Sequence, residues 1–212
     1  MTALLFTLLH LDAHLIAADK PAGLLAVPGR GPDKADCLWT RVRSEHADAL
    51  VVHRLDMGTS GLLLLARGIE MQRALGHAFE KRRVDKRYEA VVQGLPAHDA
   101  GEVELPLLVD WPNRPRQQVN LVQGKPSLTR WRVMARDEQL NRTRLELQPV
   151  TGRSHQLRVH LAAIGHPILG DELYATPDAF AASPRLLLHA RDLRLAHPAS
   201  GEPLHLHCAV PF

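Results

Sequence analysis

The chain has 212 residues and a formal net charge of +3, which fits one large or two small domains with a mildly basic balance. Its two cysteines, Cys37 and Cys208, are too far apart in sequence to indicate a disulfide framework or a paired-cysteine metal site, so we expect a reducing, cytoplasmic setting. The leucine-rich start at 4–9 lacks the basic residues of a signal peptide, and no apolar stretch is long enough to span a bilayer, so no membrane association is predicted.

The first half of the chain predicts short strands and two helices. Residues 14–19 predict a strand, which is followed by a glycine- and proline-rich loop. Asp36 predicts the N-cap of a helix that runs to about Ala47. A short strand at 50–53 then leads into a turn, and helical spacing of apolar residues predicts a second helix over 69–83.

The second half is richer in strands. Tyr88 to Gln93 predicts a strand with Tyr88, Ala90 and Val92 on one face. Ser154 predicts the N-cap of a helix through Ile164. Further strands are predicted near 102–109, 117–122, 128–135, 143–148, 185–195 and 204–209. Strands in series with few helices between them are typical of an α+β fold with a mainly antiparallel sheet.

The segment 53–67 is the most informative part of the sequence. It reads His-Arg-Leu-Asp-Met-Gly-Thr-Ser-Gly and continues into the apolar run Leu62–Ala66, which predicts a buried strand. That strand would hold the preceding turn, and with it Asp56, at a rigid edge of the scaffold beside a cation. Loops fixed in this way often carry catalytic residues. Taken alone, an aspartate before Thr-Ser-Gly is more typical of a structural turn former.

The chain resembles the RluA family of RNA pseudouridine synthases. The resemblance spans roughly residues 14–211 and includes several long motifs in the expected order, which makes a chance match improbable. The motifs lie at 19–25, 53–67, 86–90, 151–161, 165–171 and 185–190.

This resemblance implies a pseudouridine synthase catalytic fold: a curved, mixed, mainly antiparallel sheet with flanking helices and a central RNA-binding cleft. It implies a single catalytic domain over residues 1–212 without an N-terminal S4 domain, and we take a monomer as the default. It also implies an isomerisation that detaches uracil from ribose and rejoins it through carbon. Because atoms are only rearranged, no cofactor and no metal are expected.

Three residues match the catalytic positions of the family. Asp56 corresponds to the essential aspartate, which attacks the sugar or the base or stabilises the positive sugar; the sequence does not decide among these. Arg153 would keep that carboxylate ionised and oriented, although phosphate binding or a surface ion pair is its simpler role. Tyr88 would stack against the uracil, although a tyrosine on an amphipathic strand is usually a packing residue.

Four more residues are expected to bind the substrate. By resemblance, Arg54 fills the stack that the flipped uridine leaves, unless it forms a structural ion pair. Leu188 would pack beneath the base, but a leucine within a leucine run is more often plain core. His53 and His155 are expected to shape the cleft through hydrogen bonds.

The expected partner is RNA. Several arginine-rich runs on a basic chain fit a phosphate-rich ligand. The segment Asp110–Arg116, followed by Gly124-Lys125-Pro126, resembles small family members that act on both 23S rRNA and the anticodon stem-loop of tRNA. Two alternatives stay open: the same reaction on a different single RNA, and an RNA-binding or RNA-folding protein whose isomerase activity is secondary.

The histidines raise a third, remote possibility, a zinc-dependent nucleoside hydrolase. The segment His205-Leu206-His207-Cys208 resembles a ligand cluster, but in a strand Cys208 points away from the face that the two histidines share. His155 and His160 are five residues apart, whereas a helical zinc pair needs four. The sequence therefore predicts no metal site.

Overall fold

A computed structural model of the chain describes residues 6–31 and 34–212. Residues 4 and 5 of the leucine-rich start, and Pro32 in the predicted loop, lie outside the described residues. The structure divides into two units. The first unit comprises the described residues up to Lys86 together with His189–Pro211, and the second comprises Arg87–Leu188 with Phe212. One catalytic domain over the whole chain stays a prediction.

Twelve strands and four helices make up the described secondary structure. The helices are α1 (Leu38–Glu45), α2 (Gly68–Glu80), α3 (Gln156–Ala163) and α4 (Pro177–Ala181). The strands are β1 (Thr7–Leu11), β2 (Leu15–Lys20), β3 (Ala49–Val51), β4 (Ser60–Arg67), β5 (Asp85–Gln93), β6 (Ala100–Glu104), β7 (Leu107–Val109), β8 (Gln117–Val119), β9 (Leu128–Asp137), β10 (Arg142–Pro149), β11 (Leu188–Ala196) and β12 (Pro203–His207).

In the first unit the buried strand β4 is the centre of the sheet. It pairs antiparallel with β2 and β3, and parallel with β11 through the partners His189↔Ser60 and Ala190↔Gly61. β1 extends the sheet beyond β2, and β12 extends it beyond β11. The leucines at 62–65 have no exposed surface, which explains the apolar run: strands buried on both faces need apolar residues at every position.

In the second unit, the strands pair antiparallel in the order β5-β10-β9-β6. The side chains of Ala90 and Val92 from β5 form one core cluster with Leu145 and Leu147 from β10 and with Leu157 and Leu161 from α3. A separate two-stranded sheet pairs β7 with β8. The antiparallel pairing confirms the predicted α+β class.

Both predicted helix caps were wrong. α1 is capped by Cys37, whose thiol accepts from the Thr40 amide while the Thr40 hydroxyl accepts from the Cys37 amide. Asp36 instead forms an exposed ion pair with Arg41 at 2.6 Å. α3 begins at Gln156, and its N-cap is His155 in the left-handed conformation with φ of 54°, not Ser154.

Among the described residues, none of the helices combines the length and the apolar character that crossing a membrane would demand.

Candidate active site

Asp56 lies in the turn between β3 and β4, and backbone hydrogen bonds hold this turn in place. The Thr59 amide donates to the Asp56 carbonyl at 3.1 Å. The carbonyl of the next residue, Met57, accepts from the Gly23 amide at 2.9 Å. The turn is therefore fixed to the loop that follows β2.

A buried lysine strengthens this attachment. Lys20, at the end of β2, has no exposed surface, and its ammonium donates to the carbonyls of Pro21 at 2.9 Å, Leu24 at 2.7 Å and Met57 at 3.0 Å. A buried charge needs such partners, because moving it out of water is otherwise costly. Lys20 belongs to the motif at 19–25, but its role was not predicted from the sequence; the signal for it is a lysine at the end of an apolar strand.

The strand that follows the turn approaches β11 closely. The Oγ of Ser60 lies 2.8 Å from Nδ1 of His189, and both side chains are buried. At the next position Gly61 has φ of +105°, and a Cβ there would lie 2.3 Å from the Ala190 carbonyl oxygen. A glycine at 61 is thus required for the two strands to pack beside the turn that carries Asp56.

His53 is tied to the same strand. Its Nε2 accepts from the Leu64 amide at 2.9 Å, and its ring stacks on Phe79 with centroids 4.7 Å apart. Burial of the ring, with the positive charge of Lys86 nearby, lowers the pKa of His53 to about 3. The imidazole is therefore neutral at physiological pH and serves as a hydrogen-bond acceptor. The neighbouring Arg54 is exposed.

In the second unit, Tyr88 is half-buried and packs against the core cluster of β5, β10 and α3. It pairs in register with Leu147 of β10. Leu188 belongs to the same cluster and is 3% exposed. The structure thus brings Tyr88 and Leu188 to one cluster.

Arg153 is exposed and precedes α3. Its amide donates to Oε1 of Gln156 at 3.0 Å, and its Nε donates to the Pro126 carbonyl at 3.3 Å. The buried Gln156 also accepts from the Thr151 hydroxyl at 2.7 Å and donates to the Leu128 carbonyl at 3.0 Å. Gln156 was not predicted as a site residue; its signal in the sequence is a polar side chain among the apolar positions of the helix.

His155 joins a second network in the same unit. Its Nδ1 lies 2.7 Å from the hydroxyl of Tyr174, which accepts from the Gln117 amide at 2.7 Å. Nearby, the buried Arg158 forms a two-pronged ion pair with Asp171 at 2.8 and 2.6 Å. These contacts fix the segment around the start of α3.

The predicted residues therefore fall into two groups. His53, Arg54 and Asp56 lie in the first unit, and the others lie in the second: Tyr88, Arg153, His155 and Leu188. The pairing of Asp56 with Arg153 and Tyr88 stays a prediction.

The histidines of β12 are engaged with a carboxylate. His205 and His207 lie 2.8 and 2.9 Å from the same oxygen of the buried Asp192. Arg191 donates to the other oxygen at 2.6 Å. Within residues 6–31 and 34–212, no three histidine, cysteine or carboxylate side chains are grouped as a metal ion would require.

Comparison with known proteins agrees with the resemblance seen in the motifs. The family model described as RNA pseudouridylate synthase matches residues 14–163. The dual-specificity RNA pseudouridine synthase RluA of Yersinia pestis is 48% identical over 204 residues, which cover 96% of this chain and 98% of that protein. The protein of the same name from Escherichia coli K12 is 46% identical over 207 residues, which cover 97% and 93%.

Two solved human structures share the fold. RNA pseudouridylate synthase domain containing 1 matches with a TM-score of 0.79 and 27% identity, covering 98% of this chain and 84% of that one. The human protein named RNA pseudouridylate synthase domain containing 4 matches with a TM-score of 0.77 and 29% identity, covering 96% of this chain and 88% of that one. The predicted isomerase class is thereby confirmed, and the chain belongs to the RNA pseudouridylate synthase family.

Proposed function

We propose that this enzyme converts specific uridines to pseudouridine in both 23S rRNA and the anticodon stem-loop of tRNA. The observation that carries this proposal is the near full-length similarity to relatives named dual-specificity RNA pseudouridine synthases, at 48% identity over 96% of the chain. The Asp110–Arg116 segment, which resembles the small dual-specificity members, supports the same choice of substrates.

In this proposal Asp56 performs the central step. The bond between ribose C1′ and uracil N1 breaks, and a new bond forms between C1′ and C5. The proton on C5 is lost, and N1 gains a proton, so the product is an isomer of the substrate. A carboxylate serves this reaction as a nucleophile or by stabilising a positively charged sugar. The hydrogen bonds of the Met57 carbonyl with Lys20 and Gly23 support this role, because they fix the backbone of the turn that carries Asp56.

The other predicted residues have supporting roles. Arg153 orients the Asp56 carboxylate, and its own backbone is held by Gln156. Tyr88 stacks against the target base, which its half-buried ring at the core edge suits. Arg54 is exposed, and in this proposal its planar guanidinium fills the gap that a flipped uridine leaves. His53, which is tied to the Leu64 amide, and the buried Leu188 support these groups from within the protein.

The enzyme acts in the cytoplasm, as a monomer and without a cofactor, in this proposal. The test maps carbodiimide-dependent reverse-transcription stops in 23S rRNA and tRNA from cells with and without the gene. We expect at least one stop in each RNA to disappear with the gene. Loss from only one RNA would support the single-target alternative, and unchanged stops in both would contradict the proposal.

A further inference from the structure

The loop between β7 and β8, residues 110–116, is held in shape by its own hydrogen bonds. The Asp110 amide donates to the Arg116 carbonyl at 3.0 Å, and the Arg116 amide donates to the Asn113 carbonyl at 3.0 Å. The Asn113 amide donates to the Asp110 carbonyl at 3.1 Å, and the Asn113 side chain donates to the Asp110 carboxylate at 2.9 Å. The loop therefore presents its remaining side chains from a defined backbone.

Trp111 is the most prominent of these side chains. It is 65% exposed, although indole is among the largest apolar groups that a protein can bury. The guanidinium carbon of Arg114 lies 4.0 Å from the centroid of its ring, so a planar cation covers part of the ring. By contrast, Trp39 donates to the Ala49 carbonyl and Trp131 packs against a core cluster. Trp39 and Trp131 serve the fold, whereas most of Trp111 faces solvent.

The charge of the loop indicates what would cover this ring. Arg114 and Arg116 are positive, and the single acidic residue, Asp110, already accepts from Asn113. A flat aromatic ring with one guanidinium group against it, in a loop that carries a second arginine, suits a nucleobase with its phosphate. Unpaired RNA bases stack on aromatic rings and arginine planes in this way.

The loop is also attached to the segment that carries Arg153. Gln117 directly follows the loop, and its amide donates to the Tyr174 hydroxyl. That hydroxyl lies 2.7 Å from Nδ1 of His155, which is two residues beyond Arg153. The guanidinium of Arg116 lies 5.5 Å from the centroid of the Tyr174 ring. A nucleotide on Trp111 would thus be held in a set position relative to Arg153.

From these contacts we infer that Trp111, backed by Arg114, is a stacking platform for an unpaired nucleotide of the substrate RNA other than the target uridine. The platform helps to select stem-loops that can present such a nucleotide. This inference rests on the proposed function, because it takes a stem-loop RNA as the substrate.

The test compares Trp111→Ala and Trp111→Phe with wild type, using a tRNA anticodon stem-loop transcript. Leu140→Ala is the matched control, since Leu140 is a 61% exposed apolar residue of the same unit outside the loop. We expect Trp111→Ala to raise Kd and KM about 5- to 100-fold, as the loss of one base–aromatic stack does, with kcat changed less than about twofold. Trp111→Phe should cause a smaller rise, and Leu140→Ala should match wild type.

Two further readouts identify stacking. RNA should quench tryptophan fluorescence more in wild type than in Trp111→Phe. The slope of log Kd against log salt should be the same in wild type and Trp111→Ala, because no phosphate contact is lost. A Kd for Trp111→Ala within about twofold of wild type, or equal quenching in Trp111→Phe, would overturn the inference.

The outcomes also separate this inference from the proposed function. Pseudouridine formation by wild type together with a Kd that does not depend on Trp111 overturns the platform alone. Binding that depends on Trp111, without pseudouridine formation in the tRNA or 23S rRNA substrate, supports the platform and contradicts the proposed function.

Discussion

Replacement of Gly61 by alanine tests the packing of β4 on β11 beside the Asp56 turn. Gly61 has φ of +105°, and an added Cβ would lie 2.3 Å from the carbonyl oxygen and 2.8 Å from the amide nitrogen of Ala190. Both atoms belong to the backbone of the paired strand, so no side chain can rotate away. The strands must separate, or Gly61 must change its conformation.

The expected cost has two parts. Forcing an extra carbon into a packed site costs about 1–3 kcal/mol. Holding an L-residue in a left-handed conformation costs about 1–2 kcal/mol more. The Gly61→Ala variant should therefore lose about 2–5 kcal/mol of unfolding free energy. For a chain of this size this corresponds to a decrease in Tm of about 4–20 °C.

Urea and thermal unfolding measure this effect, with Gly76→Ala as the control. Gly76 lies within α2, and a Cβ there would meet nothing within 4 Å. Because alanine favours the helix, the control should gain about 0.5–1 kcal/mol. A Gly61→Ala variant as stable as wild type would refute the close packing of β4 on β11.

Other predictions concern buried charge and pH. Arg158→Met should lower the free energy of unfolding, measured in urea, by about 3–5 kcal/mol, because it leaves the buried Asp171 carboxylate without its cation. A decrease of less than about 1 kcal/mol in the free energy of unfolding would contradict this prediction. His53 has a pKa of about 3 in the folded protein, whereas an unfolded histidine titrates near about 6.5. Between these two pKa values the unfolded state binds a proton at His53 that the folded state does not bind. The free energy of unfolding should therefore fall as the pH drops from about 6.5 towards about 3. Above a pH of about 6.5, His53 should not affect the stability. His53→Gln should flatten that part of the stability profile measured by urea unfolding, and an unchanged profile would show that His53 is not responsible.

The sequence predicted the strands well where a pattern of side chains determines them. The apolar run at 62–66 became the buried strand β4, and the alternation of Tyr88, Ala90 and Val92 became the core face of β5. β1 was missed, because it is largely exposed and lacks a continuous buried face. Helix starts were less predictable, since several polar residues near a helix can cap it and only the backbone conformation decides among them.

The candidate site likewise divides into residues that the sequence pattern predicts and residues that only the fold reveals. Motif order indicated Asp56, Tyr88 and Arg153, because those positions are set by the family pattern. The residues that hold them were not predicted: Lys20 binds carbonyls from two segments, and Gln156 joins α3 to β9. Such contacts join residues far apart in the chain, and they become visible only once the fold is known.

The most direct test of the central claim is pseudouridine formation by purified wild type and Asp56→Asn on unmodified tRNA and 23S rRNA transcripts, alongside the Kd for each RNA. We expect wild type to form pseudouridine, and Asp56→Asn to lose activity by at least about a thousandfold while its Kd stays close to that of wild type. Turnover by Asp56→Asn at the wild-type rate would contradict the role of this carboxylate.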